Sequence, residues 1–292
     1  MRLVTSQPRE NVIERLPQAL VEDAGMMHFF VKSVETPSMS HFDIAAMLQH
    51  RLLALDHLSS LYADKKLGFF FRSPDGATSY ELHRADDLLE LDARLKANPQ
   101  WPYCSHEVVP VTKTGDMVRE LTSYLKIDAN LFFEEALGRY QARGILTADH
   151  TDEIKKRAGS GYVELMSADE EPMDENGVYT VVAKASKGTS ASVPVEQLQE
   201  MWMRALRSQV AHLNSDIEFI DYNPVGRSEG LLIGKGDLDV LKKHIESTEI
   251  YPDTVVSYYP VHTRSVAARA TASRLLSLQR DLPKFKILDQ FL

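Results

Sequence analysis

Two stretches of sequence decide the fold: residues 69–112 read FFFRSPDGATSYELHRADDLLELDARLKANPQWPYCSHEVVPVT, and residues 219–262 read FIDYNPVGRSEGLLIGKGDLDVLKKHIESTEIYPDTVVSYYPVH. Laid over one another at a constant shift of 150 without a gap, they share ten identities in 44 positions. Most identities are turn prolines and glycines, a helix-capping aspartate and helical leucines, so chance is a poor explanation. The chain is interpreted as a tandem duplication. The identical pairs are Phe69/Phe219, Pro74/Pro224, Gly76/Gly226, Leu82/Leu232, Asp87/Asp237, Leu88/Leu238, Leu91/Leu241, Pro102/Pro252, Pro110/Pro260 and Val111/Val261.

Each copy reads strand, helix, strand, turn, strand, helix, strand. Short apolar runs predict the strands, leucines at helical spacing predict the helices, and a Pro-then-Gly turn separates the second strand from the third. Asp87 with Glu90 three residues later predicts a capped second helix. In the first copy the predicted elements are His28–Val34, Phe42–Tyr62, Gly68–Arg72, Thr78–His83, the helix from Asp87 to Asn98, and Tyr103–Val109. In the second they are Tyr179–Lys184, Val195–Leu213, Glu218–Tyr222, Gly230–Ile233, Leu238–Ile245 and Thr254–Tyr259.

This order predicts an α+β fold class. The βαββαβ order is the ferredoxin-like arrangement, in which two helices cover one face of four antiparallel strands. The uncovered face has to be buried, and the simplest partner is the sheet of the other copy, so the two sheets are predicted to pack face to face as an internal dimeric α/β barrel. The predicted domains are an N-terminal helical extension 1–25, a first ferredoxin-like domain 26–113, a helical linker 114–161, a second ferredoxin-like domain 162–264 and a C-terminal helical segment 265–292.

Composition narrows the class of protein. A chain of 292 residues with a formal charge of −9 and no dense basic run predicts neither a nucleic-acid partner nor an anionic membrane partner. Cys104 is the single cysteine, which excludes a disulfide within the chain and fits a cytoplasmic location. No apolar run reaches the 18 residues of a membrane span. Each of two domains of this size can bury its own hydrophobic core, so a homo-oligomer is possible but is not needed for stability.

The first copy resembles the muconolactone isomerase family. The resemblance rests on the strand His28-Phe29-Phe30-Val31-Lys32, the turn Phe71-Arg72-Ser73-Pro74-Asp75-Gly76 and the segment Asn98-Pro99-Gln100-Trp101-Pro102-Tyr103 before the closing strand. In the second copy only Lys184, Pro224, Gly226-Arg227 and Tyr251-Pro252 match. The resemblance covers about 170 of the 292 residues, and its motifs, mostly turns and caps, indicate fold better than chemistry.

The resemblance implies a proton shift on a small unsaturated lactone or oxygenated acid, without cofactor or metal. Such an isomerase needs a base with a pKa near the working pH and donors for the developing enolate oxygen. Histidine suits the first task, and His28, His106 and Arg72 form the predicted catalytic set. Tyr80, Tyr103, Trp101 and Arg227 are the predicted substrate-binding residues.

Other interpretations stay open. Paired ferredoxin-like domains also carry cofactor-free monooxygenases and haem-binding enzymes, and the chain could equally be a non-catalytic protein that binds a small ligand. For His28 or His106 the plain alternative is a structural histidine whose ring nitrogens are already hydrogen-bonded. Arg72 could be only an outward strand residue. His50 and His57 lie seven residues apart without a third ligand, so they predict no metal site.

Overall fold

The structure, a computed structural model, describes residues 26–38, 42–167, 174–186, 195–214, 216, 218–224 and 229–281. The helix predicted for residues 1–25 lies outside these residues, as does the end of the chain after 281. The predicted C-terminal helix is present from Arg264 to Asp281.

Eight strands form one closed antiparallel barrel, in the order β1-β3-β2-β8-β5-β7-β6-β4 with β4 pairing back to β1. We call β1–β4 the first repeat and β5–β8 the second repeat, each with its covering helices. The strands are β1 (Met27–Glu35), β2 (Leu67–Arg72), β3 (Thr78–Ala85), β4 (Cys104–Lys113), β5 (Tyr179–Ser186), β6 (Glu218–Pro224), β7 (Glu229–Lys235) and β8 (Thr254–Thr263).

The helices follow the predicted order. In the described part of the chain they are α1 (Ile44–Ala63), α2 (Leu88–Lys96), α3 (Thr114–Leu125), α4 (Ala129–Ala142), α5 (Ala148–Arg157), α6 (Tyr162–Ser167), α7 (Val195–Ala211), α8 (Leu238–Ser247) and α9 (Arg264–Asp281). Short 3-10 helices at Trp101–Tyr103 and Tyr251–Asp253 precede β4 and β8. Asp87 and Asp237 cap α2 and α8 through their carboxylates, because each accepts the orphan backbone N–H groups of the first turn.

Each repeat contributes a ferredoxin-like sheet, in the order β4-β1-β3-β2 or β8-β5-β7-β6. The two sheets join through two seams: β2 pairs with β8 at Arg72 and His262, and β4 pairs with β6 at Val111 and Pro224. The predicted internal dimeric α/β barrel is therefore confirmed, and closure removes the sheet edges that an open pair would expose.

The barrel interior is apolar and aromatic. Side chains alternate along each strand, so one set fills the barrel and the other faces the helices. We call the helix-covered side the outer face. Phe69 and Phe71 point inward while Phe70 packs under α1, which explains three consecutive aromatic residues on β2. The buried interior residues are Phe30, Phe69, Phe71, Tyr80, Leu82, Val109, Val111, Tyr179, Val181, Tyr222, Leu231, Ile233 and Val261.

Helices cover the two outer faces differently. On the first repeat, α1 lies over β2 and α9 packs on α1, while α2 packs against β3. On the second repeat, α7 lies between the sheet and the bundle of α3–α6, because Leu206, Val210 and Ala211 share a core with Phe133 and Tyr140 of α4. The predicted linker, residues 114–161, is helical in the structure and packs together with α6 onto α7 of the second repeat.

The structure corrects the gapless alignment of the repeats. Phe69 and Leu82 lie inside the barrel, whereas Phe219 and Leu232 pack on the outer face. Relative to the gapless alignment, the β6–β7 hairpin is therefore shifted by an odd number of residues. Because side chains alternate along a strand, this shift turns each aligned side chain to the opposite face of the sheet. Tyr222, the gapless counterpart of Arg72, accordingly points inward.

Gly76 at the β2–β3 turn gives the first testable prediction. Its φ of +75° is a region that favours glycine, and an added Cβ would lie 2.5 Å from Nη1 of Arg51. Gly144 has a similar φ of +69° with no described atom within 4 Å of the added Cβ. We expect Gly144→Ala to lower the free energy of unfolding by about 1 kcal/mol through backbone strain alone, and Gly76→Ala to lower it further. Urea denaturation measures both, and equal losses would show that the contact with Arg51 is immaterial.

Candidate functional site

A small cavity of about 20 Å³ lies on the outer face of the first repeat. We call it the first-repeat cavity. It lies between the sheet, helix α1, the β2–β3 turn and the segment that follows α2. A volume of this size holds about one water molecule. Its lining residues are Ser33, Glu35, Leu58, Phe70, Arg72, Ala77, Ser79, Glu81, Asn98, Gln100, Trp101, Cys104 and His106.

One side of the cavity is an ion-pair network centred on Glu35. Arg51 binds this carboxylate through Nε and Nη2 at 2.8 and 2.6 Å, and Arg72 donates to it from Nη2 at 3.2 Å. Gln100 donates to the same carboxylate and accepts from Arg72. Burial, and then the Arg51 charge, lower the pKa of Arg72 to about 10, so Arg72 stays cationic at neutral pH.

Arg51 and Arg72 also hold the β2–β3 turn. Nη1 of Arg51 donates to the carbonyl of Asp75 at 3.2 Å, and Nε of Arg72 donates to the carbonyl of Gly76 at 2.9 Å. Arg72 is therefore an outward strand residue that ties the turn to β1. The hydrogen bonds of Arg72 to the other described residues run from its Nε and Nη2.

His106 lies at the other side of the cavity and is half-buried. Its ring stacks on Trp101 with centroids 3.9 Å apart. Ser33 Oγ lies 2.8 Å from Nδ1, and the carbonyl of Trp101 lies 3.3 Å from Nε2. Because a carbonyl only accepts, the proton belongs on Nε2, and Nδ1 accepts from Ser33. Burial lowers the pKa of His106, so the neutral imidazole persists at neutral pH.

The cavity floor adds a buried carboxylate and a thiol. Glu81 accepts from His83 Nε2 and from Ser79 Oγ, each at 2.8 Å. Burial disfavours its charged form, but these hydrogen bonds and the His83 charge outweigh burial and hold the pKa of Glu81 below its usual value. Burial raises the pKa of the Cys104 thiol to about 11, which makes it a poor nucleophile.

Three of the seven predicted site residues therefore meet: His106, Arg72 and Trp101 line the same cavity. His28 and Tyr80 do not, because strand alternation turns both into the barrel. The His28 ring lies 6.2 Å from the ring of Tyr222. The prediction that His28 and His106 share one site is thus wrong: the two side chains lie on opposite faces of the sheet.

Tyr103 does not line the cavity. Tyr103 packs edge-on against Phe42 and His50. Arg227 lies outside the described residues. Tyr80, stacked on Phe30 inside the barrel, has its pKa raised to about 12 by burial, so its hydroxyl stays protonated.

The second repeat carries a different polar cluster on its outer face, which the sequence did not single out as a site. Lys184 Nζ lies 3.4 Å from Nε2 of His212, and the His212 ring lies 5.5 Å from that of His244. Asp221 is buried beside them and bonded by Gln209. We call Lys184, His212, Asp221 and His244 the second-repeat cluster.

Burial perturbs every member of the second-repeat cluster. It lowers the pKa of Lys184 and lowers that of His212 well below its usual value. It lowers the pKa of His244 to about 4 and raises that of Asp221 to about 6. Three buried atoms in the cluster have no hydrogen-bond partner in the part of the chain that the structure describes: Nδ1 of His212, Oδ2 of Asp221 and Nε2 of His244.

Sequence reasoning missed most of these neighbours because they meet only through long-range pairing. Ser33 faces His106 across the β1–β4 ladder, which requires the strand register. The sequence signals for the second-repeat cluster were Lys184 at the end of the apolar run of β5, His244 on α8 and His212 just after α7. Such residues are recognisable as neighbours only when the helix packing is known.

Within the described ranges, no group of three or more His, Cys, Asp or Glu residues is arranged to hold a metal ion. Among the helices of those same ranges, none is long and apolar enough to cross a membrane.

Comparisons with known proteins identify no family for this chain. No protein-family model matches it, and no curated protein matches it. Similar solved structures include chlorite dismutase from Candidatus Nitrospira defluvii in complex with imidazole, at 8% identity and a TM-score of 0.47, covering 87% of this chain and 98% of that chain. A variant of the same enzyme has 9% identity and a TM-score of 0.45, covering 87% of this chain and 99% of that chain.

A likeness at this level carries no inference about activity. The fold assignment rests on the strand pairing of the chain itself. The predicted ferredoxin-like barrel is confirmed by that pairing, but nothing in the comparisons supports the muconolactone isomerase family in particular, and the isomerase activity stays a prediction.

Removing Glu35 tests whether the buried network stabilises the first repeat. The side chains of Glu35, Arg51 and Arg72 are 8%, 6% and 5% exposed, so Glu35→Ala leaves two buried cations without their shared anion. We expect a loss of about 3–5 kcal/mol in the free energy of unfolding. The control Glu135→Ala breaks an exposed pair with Arg139 and should change it by about 0.5 kcal/mol or less. Similar losses in both variants would contradict a stabilising role for the network.

Proposed function

We propose that the protein is an enzyme that catalyses proton transfer on a small unsaturated lactone or oxygenated acid at the first-repeat cavity. One observation carries the proposal: a neutral histidine, His106, and a buried cation, Arg72, line the same cavity on the outer face. A proton shift beside a carbonyl requires this pair of roles, a base of suitable pKa and a fixed positive charge for the enolate oxygen.

His106 is the proposed base. Its tautomer is fixed by the carbonyl of Trp101, so the lone pair is on Nδ1, where Ser33 donates. When substrate binds, its C–H group would take the place of the Ser33 hydroxyl beside Nδ1 of His106. Alternatively, Ser33 would pass the proton from the substrate carbon to Nδ1. His106 would take the proton from the carbon next to the carbonyl and return it to a carbon further along the conjugated system, so no net proton is consumed.

Arg72 is the proposed stabiliser of the enolate oxygen. Glu35 and Gln100 fix its guanidinium from the side, and a group already held in place loses little entropy when the substrate binds. Leu58, Phe70 and Trp101 supply apolar walls, which strengthen the interaction between Arg72 and a developing anion.

Trp101 has to move for a substrate to enter. A lactone is larger than a space for one water molecule, and the indole stacks directly on His106 at the cavity wall. Substrate binding would therefore change the surroundings of this indole. In a Trp202→Phe background, Trp101 is the single tryptophan left to report this change by fluorescence.

The decisive experiment is proton NMR of muconolactone and a small panel of unsaturated lactones in deuterated water. We expect enzyme-dependent isomerisation or deuterium uptake, and a loss of about 100-fold or more in His106→Ala, since a positioned base contributes that much. His150→Ala, which removes a histidine of the distant helix α5, is the matched control and should retain the rate. Binding seen as Trp101 quenching without any exchange would instead favour a non-catalytic ligand-binding protein.

The pH dependence supplies a second check on the same base. Because burial lowers the pKa of His106, the imidazole stays neutral below its ordinary value of 6.5. The rate at low substrate concentration should thus fall with acid only below pH 6.5, as His106 becomes protonated. An acid limb centred above pH 6.5 would contradict His106 as the base.

The alternative function is that of a haem-binding enzyme. Histidine side chains that could bind the iron are present, but the space around them is too small for a porphyrin. His212 and His244 present unpartnered ring nitrogens on the outer face of the second repeat, where an imidazole could bind iron. Their rings and that of Phe219 lie 4.9–5.5 Å apart, which leaves no slot for a porphyrin between them. In the first-repeat cavity, both nitrogens of His106 are bonded and the space is water-sized. Neither of these two sites therefore fits haem.

We expect that hemin added to the purified protein gives no stoichiometric Soret band and no change in the isomerase assay. A one-to-one Soret band that disappears in His212→Ala but persists in His106→Ala would overturn the acid–base proposal in favour of a haem-binding enzyme. His150→Ala serves again as the control for loss of an unrelated imidazole.

A further inference from the structure

Glu81 is a buried carboxylate that the proposed reaction does not use. It is 2% exposed, and it lines the first-repeat cavity together with His106. Ser79 and His83 each bond it at 2.8 Å, so both of its oxygens accept and the carboxylate is held in one orientation. Burying an ionised carboxylate is costly unless the charge is compensated. A fixed charge of this kind in a cavity wall therefore points to a function at the cavity.

The second repeat shows that the barrel does not require a carboxylate at this position. Glu81 pairs with Val31 in the β1–β3 ladder. The corresponding valine of β5, Val182, pairs with Leu232 in the β5–β7 ladder. Both repeats form the same four-stranded sheet, and the second one does so with a leucine where the first has Glu81. The carboxylate is thus a feature of the first repeat alone and not of the fold.

Two serines connect Glu81 to His106 across the outer face. Ser33 donates to Nδ1 of His106, and Ser79 donates to Glu81. The two serines lie directly opposite each other on β1 and β3, which brings their Cβ atoms to about 5 Å of each other. Both also line the first-repeat cavity, which has room for about one water molecule. The hydroxyls and the cavity therefore form one polar path from the imidazole to the carboxylate.

This path can accommodate a second proton on the ring of His106. With a proton on Nδ1, the ring donates to Ser33, and the Ser33 hydroxyl turns its hydrogen toward Ser79 and the cavity. His83 is the other imidazole beside Glu81, but its Nδ1 is buried and has no hydrogen-bond partner among the described residues. A second proton on His83 would therefore lack an acceptor, which is costly in a buried site. Of the two rings, His106 is the one built to become a cation.

The other charges near His106 are already compensated. Glu35 is shared by two arginines, and burial raises the pKa of the Cys104 thiol to about 11, so the thiol is uncharged. Burial lowers the pKa of His106, whereas the Trp101 carbonyl and the charge of Glu81 raise it. In the described part of the chain, the charged and titratable groups around His106 are Glu35 on β1, Arg51 on α1, Arg72 on β2, Glu81 and His83 on β3, and Cys104 on β4.

We propose that Glu81 is a positioning residue that supplies the counter-charge for His106 when this histidine is protonated. In the proposed reaction the imidazole takes a proton from the substrate carbon and becomes a cation, while Glu81 stays ionised and keeps both of its hydrogen bonds. The role in turnover rests on the proposed function, because it requires His106 to be the base. The electrostatic coupling of the two side chains is measurable without any substrate.

Proton NMR of the histidine ring signals, recorded against pH on the full-length protein, measures this coupling. His106→Ala identifies the His106 signal. Glu81→Gln removes the charge but keeps the shape, and His83 can move its ring proton to Nδ1 and accept from the new amide. We expect the affinity of His106 for a proton to fall about tenfold in Glu81→Gln, because an opposite charge nearby favours the protonated ring.

Glu107→Gln is the matched control for the loss of one negative charge. Glu107 is exposed and adjoins His106 on β4, but strand alternation turns its side chain to the opposite face of the sheet. Its removal should change the proton affinity of His106 by less than half as much, since solvent screens an exposed charge. An equal change in both variants, or an unchanged titration in Glu81→Gln, would overturn the proposal.

The pH profile of the isomerase assay supplies the readout in turnover. In Glu81→Gln the acid limb should move to lower pH, and the maximal rate should fall about 3- to 10-fold because the base is weaker. A merely structural role for Glu81 would lower the rate and leave the limb in place. Coupling in the titration without any isomerisation would refute the proposed function alone, whereas isomerisation with an unchanged titration would refute the role of Glu81 alone.

A measurement on the wild-type protein decides the question if Glu81→Gln fails to fold. The carboxyl carbon of Glu81, observed by carbon-13 NMR, should change its chemical shift at the pH where the His106 ring signal titrates. A carboxyl signal that does not respond to the titration of His106 would contradict the coupling.

Discussion

Barrel closure is the constraint on which the rest of the structure depends. A four-stranded ferredoxin-like sheet has one face covered by helices and one face bare, and a single copy cannot bury the bare face. Here the two copies lie in one chain and join at both edges, through β2 with β8 and β4 with β6. Large aromatic side chains such as Phe69, Phe71 and Tyr222 then fill the enclosed space. The first-repeat cavity and the second-repeat cluster both lie on the outer faces, under the helices.

The outer faces of the two repeats carry different sets of polar side chains. On the first repeat, Glu35, Arg51, Arg72 and Gln100 satisfy one another, and the resulting network fixes the β2–β3 turn beside a small cavity. On the second repeat, each of His212, Asp221 and His244 has one buried atom without a hydrogen-bond partner in the described part of the chain. A fully bonded network stabilises the fold, whereas an incompletely bonded one indicates a missing ligand or water. The duplication thus leaves one scaffold with two unlike polar surfaces.

Much of the fold was predictable from sequence because its signals are local. The Pro-Gly turn, the capping aspartates Asp87 and Asp237, and the leucine spacing of α2 depend on neighbours within a few residues. The displacement of the second hairpin was not predictable, since matching letters placed Phe219 on Phe69 although the two occupy opposite faces. The candidate site shows the same division: the sequence analysis grouped His106 with Arg72, and both line one cavity, but the partner Ser33 follows only from the β1–β4 register.

The central claim is that both repeats form one closed barrel, and amide hydrogen exchange at the seams tests it most directly. The measurement compares amides near the seam pairs Arg72–His262 and Lys113–Tyr222 with those of the central β1–β3 ladder. If the barrel opens as one cooperative unit, the most protected amides of both regions exchange with the same free energy of opening. Seam amides that exchange orders of magnitude faster than the central ladder, in both seams, would show two separate sheets and contradict the account.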